Sequence, residues 1–182
     1  DFKLFCTNHS EAKRIFEATK LWLKERLGLE VSPEKSKMVN LRKNYSDFLG
    51  IKFKVHAKGR VRNKNDKKWV VKSHIGLKAF QKILATIREH AKKMQKPKDN
   101  GRSAVNVYNS YVLGVHNYYN CATNCSLDFS AIAYRIRSIL KNRLKPRRAK
   151  EKEPIPKYIW NIYGKSKQLR FVYDTVLIPI GY

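Results

Sequence analysis

The spacing of the apolar side chains changes near residue 73, and this change constrains the fold more than any other feature. From Leu49 to Val55 every second residue is apolar, which predicts a half-buried β-strand. After residue 76 the apolar residues recur at steps of three and four, which predicts helices with one buried face. We therefore expect an α+β chain in which short strands come first and a helical bundle follows.

The first 73 residues are expected to contain one helix among these strands. An apolar face at helical spacing covers residues 12–27, with Ser10 placed to cap the helix and Gly28 to end it. Short antiparallel strands are predicted at 1–6, 37–41, 49–55 and 69–72, with a polar loop at 58–68 joining the last two.

Three amphipathic helices are predicted next, and their short connections favour an antiparallel bundle. Residues 97–101 separate the first two helices, and Asp128 is placed to cap the third. Residues 149–182 are expected to be a linker and a short C-terminal extension with two strands within 169–180 and no evident partner for them. The expected units are thus 1–73, 74–148 and 149–182. The predicted core positions are Leu77, Phe80, Leu84, Ile87, Ala91, Met94, Val105, Tyr108, Val112, Val115, Tyr119, Ala122, Phe129, Ile132, Ile136 and Leu140.

The charge of the chain indicates a polyanionic partner. Its 182 residues include 40 Lys and Arg against 14 Asp and Glu, a net charge of +26. Residues 1–60 carry 14 basic and 7 acidic side chains, whereas residues 61–182 carry 26 and 7. Nucleic acid rewards many cations through counterion release, which favours it over a membrane surface. No apolar run approaches the roughly 20 residues that cross a bilayer, and no signal-peptide pattern opens the chain.

The cysteines indicate a reducing compartment. Their odd number, three, argues against a disulfide framework and favours a reducing cytosol. Cys121 and Cys125 lie near His116, but a fourth zinc ligand at standard spacing is missing. Buried free thiols are the alternative interpretation.

The polar faces of the second and third predicted helices carry the candidate nucleic-acid contacts. Gly114 costs a helix interior ~1 kcal/mol relative to Ala, so close approach of either a ligand or another helix is expected there. Asn117 and Tyr118 can hydrogen-bond sugar or phosphate, and Tyr118 can stack on a base. The candidates that lie away from the core stripe of the second helix are Asn109, Gly114, Asn117 and Tyr118. Around the third helix, one-signed charge favours phosphate contacts by Arg135, Arg137, Lys141, Arg143, Lys145, Arg147 and Arg148.

Several segments, in this order, resemble the reverse transcriptase-maturases of group II introns. The segments are Asp1-Phe2-Lys3-Leu4-Phe5, Trp22 to Leu29 with Ser32 to Lys37, Phe48-Leu49-Gly50, and Tyr108 to Ala122. They resemble, respectively, the end of the catalytic palm motif, the helix, loop and strand after it, the primer-grip turn, and the signature of the thumb, or domain X. The resemblance implies the C-terminal part of a palm, a three-helix thumb and an extension.

The resemblance implies an RNA-directed DNA polymerase that binds primer-template and intron RNA and supports both reverse transcription and splicing. Its partners would be RNA, a DNA primer and the N-terminal fingers and palm, and its cofactor Mg²⁺. This chain alone is expected not to polymerise, because it begins inside the palm motif. The alternative is a non-enzymatic maturase-type splicing factor with a degenerate palm.

The resemblance also implies roles for individual residues. Asp1 would be a catalytic carboxylate and Mg²⁺ ligand, or else an exposed terminal carboxylate. Lys35 would neutralise the incoming triphosphate, or else be a solvated loop side chain. The primer would be contacted by Phe48, Leu49, Gly50 and Lys52, where an ordinary hairpin entry is the alternative.

Overall fold

The computed structural model describes residues 2–58, 69–97, 101–148, 154–164, 166 and 168–181. Within these ranges it is α+β, with five helices and two antiparallel three-stranded sheets, which confirms the predicted class. The elements are α1 (His9–Leu27), β1 (Ser46–Phe48), β2 (Ile51–Ala57), β3 (Trp69–Ile75), α2 (Leu77–Gln95), α3 (Arg102–Tyr119), α4 (Cys125–Leu144), β4 (Arg147–Arg148), α5 (Lys157–Tyr163), β5 (Arg170–Val172) and β6 (Thr175–Leu177).

The first sheet is formed by β1, β2 and β3. β1 and β2 are joined by the two-residue turn Leu49-Gly50, with φ of 48° and 76°. Positive φ at both positions of a two-residue turn matches the right-handed twist of the flanking strands. β2 and β3 pair antiparallel along their whole length, which confirms the predicted hairpin. Most of the predicted loop, residues 59–68, lies outside the described residues.

Two predicted strands and the predicted cap of α1 are wrong. Residues 2–6 and 37–41 form no strand, because a strand needs a ladder of backbone hydrogen bonds. The backbone bond described between 37–41 and the sheet is a single one, from the Val55 N–H to the Leu41 carbonyl oxygen at 2.9 Å. α1 is capped by Asn8, whose side-chain oxygen accepts a hydrogen bond from the Glu11 N–H at 2.8 Å. Ser10 is already inside the helix. Gly28 ends α1 with φ of 62°, as predicted.

The predicted apolar face of α1 is only partly covered, since Ile15, Phe16 and Leu23 are half-buried. None of the 19 residues of α1 is buried among the described residues. Trp22 and Leu27 on this helix, and Phe5 before it, are more than half exposed. α1 therefore contributes little hydrophobic stabilisation to the fold as it stands.

The main core lies among α2, α3 and α4, where α2 packs against both other helices. Eleven of the predicted core side chains on these helices are buried: Leu84, Ile87, Ala91, Met94, Val105, Tyr108, Val112, Val115, Phe129, Ile132 and Ile136. Ala122, just after α3, is buried as well. Leu77 is wrong, since its side chain is 64% exposed at the first position of α2, where the helix has not yet passed over the core. Phe80, Tyr119 and Leu140 are only half-buried.

The C-terminal hairpin belongs to the same core. β5 pairs antiparallel with β4 and β6, and β6 packs against α3. The predicted strands at 169–180 are thus confirmed, and their partners are β4 and α3. The residues that this part adds to the core are Ile159, Tyr163, Leu169, Phe171, Val172, Val176, Leu177, Ile178 and Ile180.

The first sheet is fastened to the helices at the end of β3. The Ser73 N–H donates to Thr123 Oγ1 at 2.8 Å, and the Thr123 N–H donates to Ser73 Oγ at 2.9 Å. Asp128 accepts from the Ile75 N–H at 2.8 Å and therefore does not cap α4, which begins after Asn124. The N-cap residue Asn124 makes no side-chain capping hydrogen bond.

Candidate nucleic-acid interface

A groove runs between the exposed side of α4 and the C-terminal hairpin. Its volume is about 650 Å³. Tyr134, Arg137 and Lys141 line it from α4, at the i, i+3 and i+7 spacing that places side chains on one helix face. The other lining residues that matter here are Ile136, Leu140, Arg148, Arg170, Leu177, Ile178, Pro179 and Gly181. We call this the α4 groove.

The described lining of the α4 groove is rich in cations. No Asp or Glu of the described residues lines it. Within the described part of the chain, Arg137, Lys141 and Arg148 form no ion pair. Burial lowers the pKa of Arg170, and the neighbouring guanidinium groups of Arg148 and Arg137 lower it further. Arg137, Lys141 and Arg148, close to one another and to Arg170, therefore create a site that an external anion stabilises.

The structure divides the basic cluster that the sequence predicts around α4. Arg137 and Lys141 line the groove, whereas Arg135 lies over the Phe80 ring, 5.1 Å from its centroid. Arg143 donates to Gln95 Oε1 at 3.1 Å, on the side of α4 that faces α2. Arg135 and Arg143 are therefore not brought together with the groove cations.

Lys145 ends α4 with φ of 43°, and its N–H donates to the Lys141 carbonyl oxygen at 3.0 Å. Its side chain is exposed. Phosphate contacts by Arg135, Arg143 and Lys145 stay predictions.

The turn between β1 and β2 contacts the end of α3. The Tyr118 hydroxyl donates to the Leu49 carbonyl oxygen at 3.0 Å. A Cβ on Gly50 would lie 3.0 Å from the Tyr119 hydroxyl, and the Gly50 carbonyl oxygen accepts from the Gly76 N–H at 2.7 Å. The predicted turn is thus present, and its two carbonyl groups are engaged by the protein itself.

Two further primer-contact candidates flank that turn. Phe48 is half-buried, with the Lys3 ammonium 5.8 Å from its ring centroid. The Lys52 ammonium, on β2, lies 5.3 Å from the centroid of the Tyr45 ring. Their contacts with a primer stay predictions.

Asn109 is a correction, because it was expected to lie away from the core. Its side chain is 5% exposed. The Nδ2 group donates to the Val176 carbonyl oxygen at 2.7 Å, and Oδ1 accepts from the Ile178 N–H at 2.9 Å. A carboxamide can donate to a carbonyl oxygen and accept from an N–H of the same strand edge, so the buried Asn109 side chain has both of its polar groups hydrogen-bonded. Asn109 is therefore a clamp for the hairpin and not a surface contact.

Gly114 lies on an open part of α3. A Cβ placed there would meet nothing within 4 Å among the described residues. The helix–helix contact considered for Gly114 is therefore wrong for this part of the chain. Asn117 and Tyr118 are exposed on the same helix. A ligand at Gly114, Asn117 and Tyr118 stays a prediction.

The predicted catalytic and metal-binding residues are not assembled into a site here. Asp1 lies outside the described residues, and Lys35 is exposed in the turn at 33–35. No cluster of His, Cys, Asp or Glu suited to a metal ion occurs among the described residues. His116 is buried, with its Nε2 donating to the Ile180 carbonyl oxygen at 2.9 Å, so it is unavailable to Cys121 and Cys125.

Sequence reasoning missed Tyr134 and Arg170. Tyr134 had a signal, since it precedes Arg137 by one helical turn, but a single aromatic residue among apolar neighbours is equally typical of a core position. Arg170 had none, because only the pairing of β4 with β5 brings it beside Arg148.

No protein-family model matches the chain, and comparisons with curated proteins and with solved structures give no match. None of the helices in the described ranges has both the length and the apolar character needed to cross a membrane.

Proposed function

We propose that this chain binds nucleic acid through the α4 groove. The observation that carries the proposal is the convergence of Arg137, Lys141 and Arg148 beside Arg170 without an acidic residue among the described lining. Phosphate is the anion that such a surface is suited to bind, and the net charge of +26 favours a polyanion over a single small ion.

The wider proposal is the palm end and thumb of a group II intron-type reverse transcriptase. Contact between two segments that carry the resemblance supports it. Tyr118, in the thumb-like segment, donates a hydrogen bond to Leu49, in the primer-grip-like turn. In a polymerase these two segments act on the same primer strand, so their contact is an arrangement that the activity requires.

The whole polymerase would need parts beyond those described. Mg²⁺ would be held by carboxylates, Asp1 among them, and would clamp the attacking and leaving oxygens. Lys35 would face the incoming triphosphate. The exposed part of the apolar face of α1, with Trp22 and Leu27, is suited to pack against the N-terminal fingers and palm. RNA and a DNA primer would be the substrates, in the cytoplasm.

A non-enzymatic splicing factor is the second candidate. The observation that favours it is that the α4 groove lies entirely within residues 108–181 and includes no proposed metal ligand. RNA binding would therefore survive loss of the catalytic carboxylates. Mg²⁺-dependent primer extension distinguishes the two functions when it is measured on the chain joined to the N-terminal fingers and palm. A rate of extension that falls with Lys35→Ala at saturating nucleotide supports the polymerase.

Salt-titrated binding tests the shared claim. If the four groove cations neutralise phosphates, affinity should fall roughly 50- to 150-fold between 50 and 200 mM salt. The slope of log affinity against log salt concentration should be about −3. Changing Arg137, Lys141 and Arg148 together to Gln should flatten that slope to about −1. The matched control removes the same charge from α1, as Lys13, Lys20 and Lys24 to Gln, and should leave the slope near the wild-type value.

Affinity that is independent of salt would refute the proposal. Equal losses in the groove variant and the α1 variant would also refute it, because they would reflect net charge alone. Circular dichroism of each variant verifies that the helices are intact.

A further inference from the structure

We infer that the α4 groove receives an unpaired nucleotide, with its base stacked on Tyr134 and its phosphate held by the groove cations. This inference rests on the proposed nucleic-acid binding and specifies its ligand as a single strand of RNA or DNA rather than a duplex.

The first step is the position of Tyr134. Its side chain is 80% exposed, the highest value among the large hydrophobic side chains described. It stands on the same face of α4 as Arg137 and Lys141 and lines the groove with them. An aromatic ring beside cations is the combination that binds single strands, because every base offers a π-face for stacking.

The second step is the apolar floor. Below the cations, the groove is lined by Ile136, Leu140, Leu177 and Pro179. Its volume of about 650 Å³ falls within the ~300–1,000 Å³ of small-molecule sites. A base is apolar on its faces and fits such a recess, whereas a phosphate does not.

The third step is what closes the floor. A Cβ on Gly181 would lie 2.8 Å from Ala133 Cβ and 3.3 Å from the Phe129 carbonyl oxygen. The backbone at residue 181 therefore lies directly on α4 and closes the recess on this side. A strand backbone has to pass over the rim, where the cations are, with a base turned inward.

The fourth step excludes the duplex from this recess. In a duplex the bases are stacked and paired inside and the phosphates face outward. Such a ligand reaches the cations of the rim but leaves the apolar floor and Tyr134 empty. Base insertion requires a nucleotide that is already unpaired, or that is extruded at a cost.

The test is binding of the whole 182-residue chain to three labelled probes of equal length. The probes are an unstructured uridine-rich RNA, its DNA counterpart and an RNA–DNA duplex. Tyr134→Ala should weaken binding of the single strands by about 5- to 150-fold and leave the duplex unchanged. Tyr134→Phe should bind all three like wild type, because the stacking ring remains. Tyr158→Ala, at an exposed tyrosine of α5 outside the groove, is the control and should change nothing.

A fluorescent base analogue gives a second readout. A single strand that contains 2-aminopurine should lose fluorescence on binding to wild type and Tyr134→Phe, and should retain it with Tyr134→Ala. The inference would be overturned if Tyr134→Ala bound single strands as well as wild type does, or lost affinity equally for all three probes. The proposed function would still stand in that case, provided that binding depends on salt. Failure of wild type to bind any probe would overturn both.

Discussion

The hydroxyl of Tyr118 lies 3.0 Å from the carbonyl oxygen of Leu49 and joins two residues that are 69 positions apart. The contact fixes the β1–β2 turn against the last turn of α3. Because Gly50 in the same turn packs under Tyr119, the geometry of the turn and the position of the helix end depend on each other. Substitutions in the turn should therefore change the packing of the α3 end and the stability of the fold.

Gly50→Ala should lower the free energy of unfolding by about 1–3 kcal/mol. Its φ of 76° is a left-handed conformation that costs a side chain about 1–2 kcal/mol, and the Tyr119 hydroxyl would have to move. Urea denaturation measures the loss. Gly28→Ala is the control, with a φ of 62° and nothing within 4 Å, so only the backbone cost applies. Equal losses at both positions would show that Tyr119 adds nothing.

Gly114→Ala should raise the free energy of unfolding by up to about 1 kcal/mol. The position is helical and exposed, and a methyl group there meets nothing within 4 Å in the described structure. If nucleic acid approaches the bare backbone at Gly114, the same substitution should weaken binding although the fold is more stable. Thermal melting and probe binding, measured on one preparation, separate the two effects. Ser110→Ala, one turn earlier on the exposed side of α3, is the matched control.

Asn109→Ala should lower the free energy of unfolding by about 2–4 kcal/mol, because it leaves the Val176 carbonyl and the Ile178 N–H without their partner. Asn109→Asp should be at least as damaging, since it loses the donor and brings a buried charge. Asn106→Ala, at an exposed position of α3, should change stability by less than about 0.5 kcal/mol. A neutral Asn109→Ala variant in urea denaturation would refute the clamp.

Stability should fall as the pH is lowered from about 6.5, partly through His116. Burial lowers the pKa of His116 below its ordinary 6.5, although the Ile180 carbonyl partly opposes this. The unfolded chain then binds a proton that the folded chain does not. The stability that neutral His116 contributes is complete above pH 6.5 and is lost as the pH falls through the lowered folded-state pKa. The free energy of unfolding then changes by at most about 1.4 kcal/mol per pH unit.

Melting temperatures between pH 5 and 8 measure this effect. Burial also lowers the pKa of His90, so His116→Gln should reduce the pH dependence without abolishing it. His9→Gln, at the exposed start of α1, should leave the pH profile as in wild type. An unchanged profile in His116→Gln would contradict the assignment.

The helices and the main hairpin were predictable because their signals are local. Apolar spacing placed Ile87, Val112 and Ile132 in the core, and each is fully buried. The strand at 49–55 followed from alternation alone. The strands at 1–6 and 37–41 failed because alternation does not reveal whether a partner strand is available, and that depends on residues distant in sequence.

The candidate site was less predictable for the same reason. The charge of α4 was visible in the sequence, but its division between the groove and the α2 side depends on which face α2 covers. Asn109 illustrates the limit most clearly. A polar residue one position beyond the buried Tyr108 is expected to face solvent, yet the unpaired edge of β6 requires an amide at that place.

The Asn109 clamp also sets an order of events during synthesis. Its two partners, Val176 and Ile178, are about 70 residues downstream, so a ribosome makes α2, α3 and α4 before it makes the strand that completes their core. Until residues 176–180 emerge, the nascent helices expose the apolar surface that the hairpin later covers, together with an amide that lacks its strand. The helical bundle therefore reaches its native packing only after translation has passed the hairpin, and the growing chain is most vulnerable to misassociation in that interval.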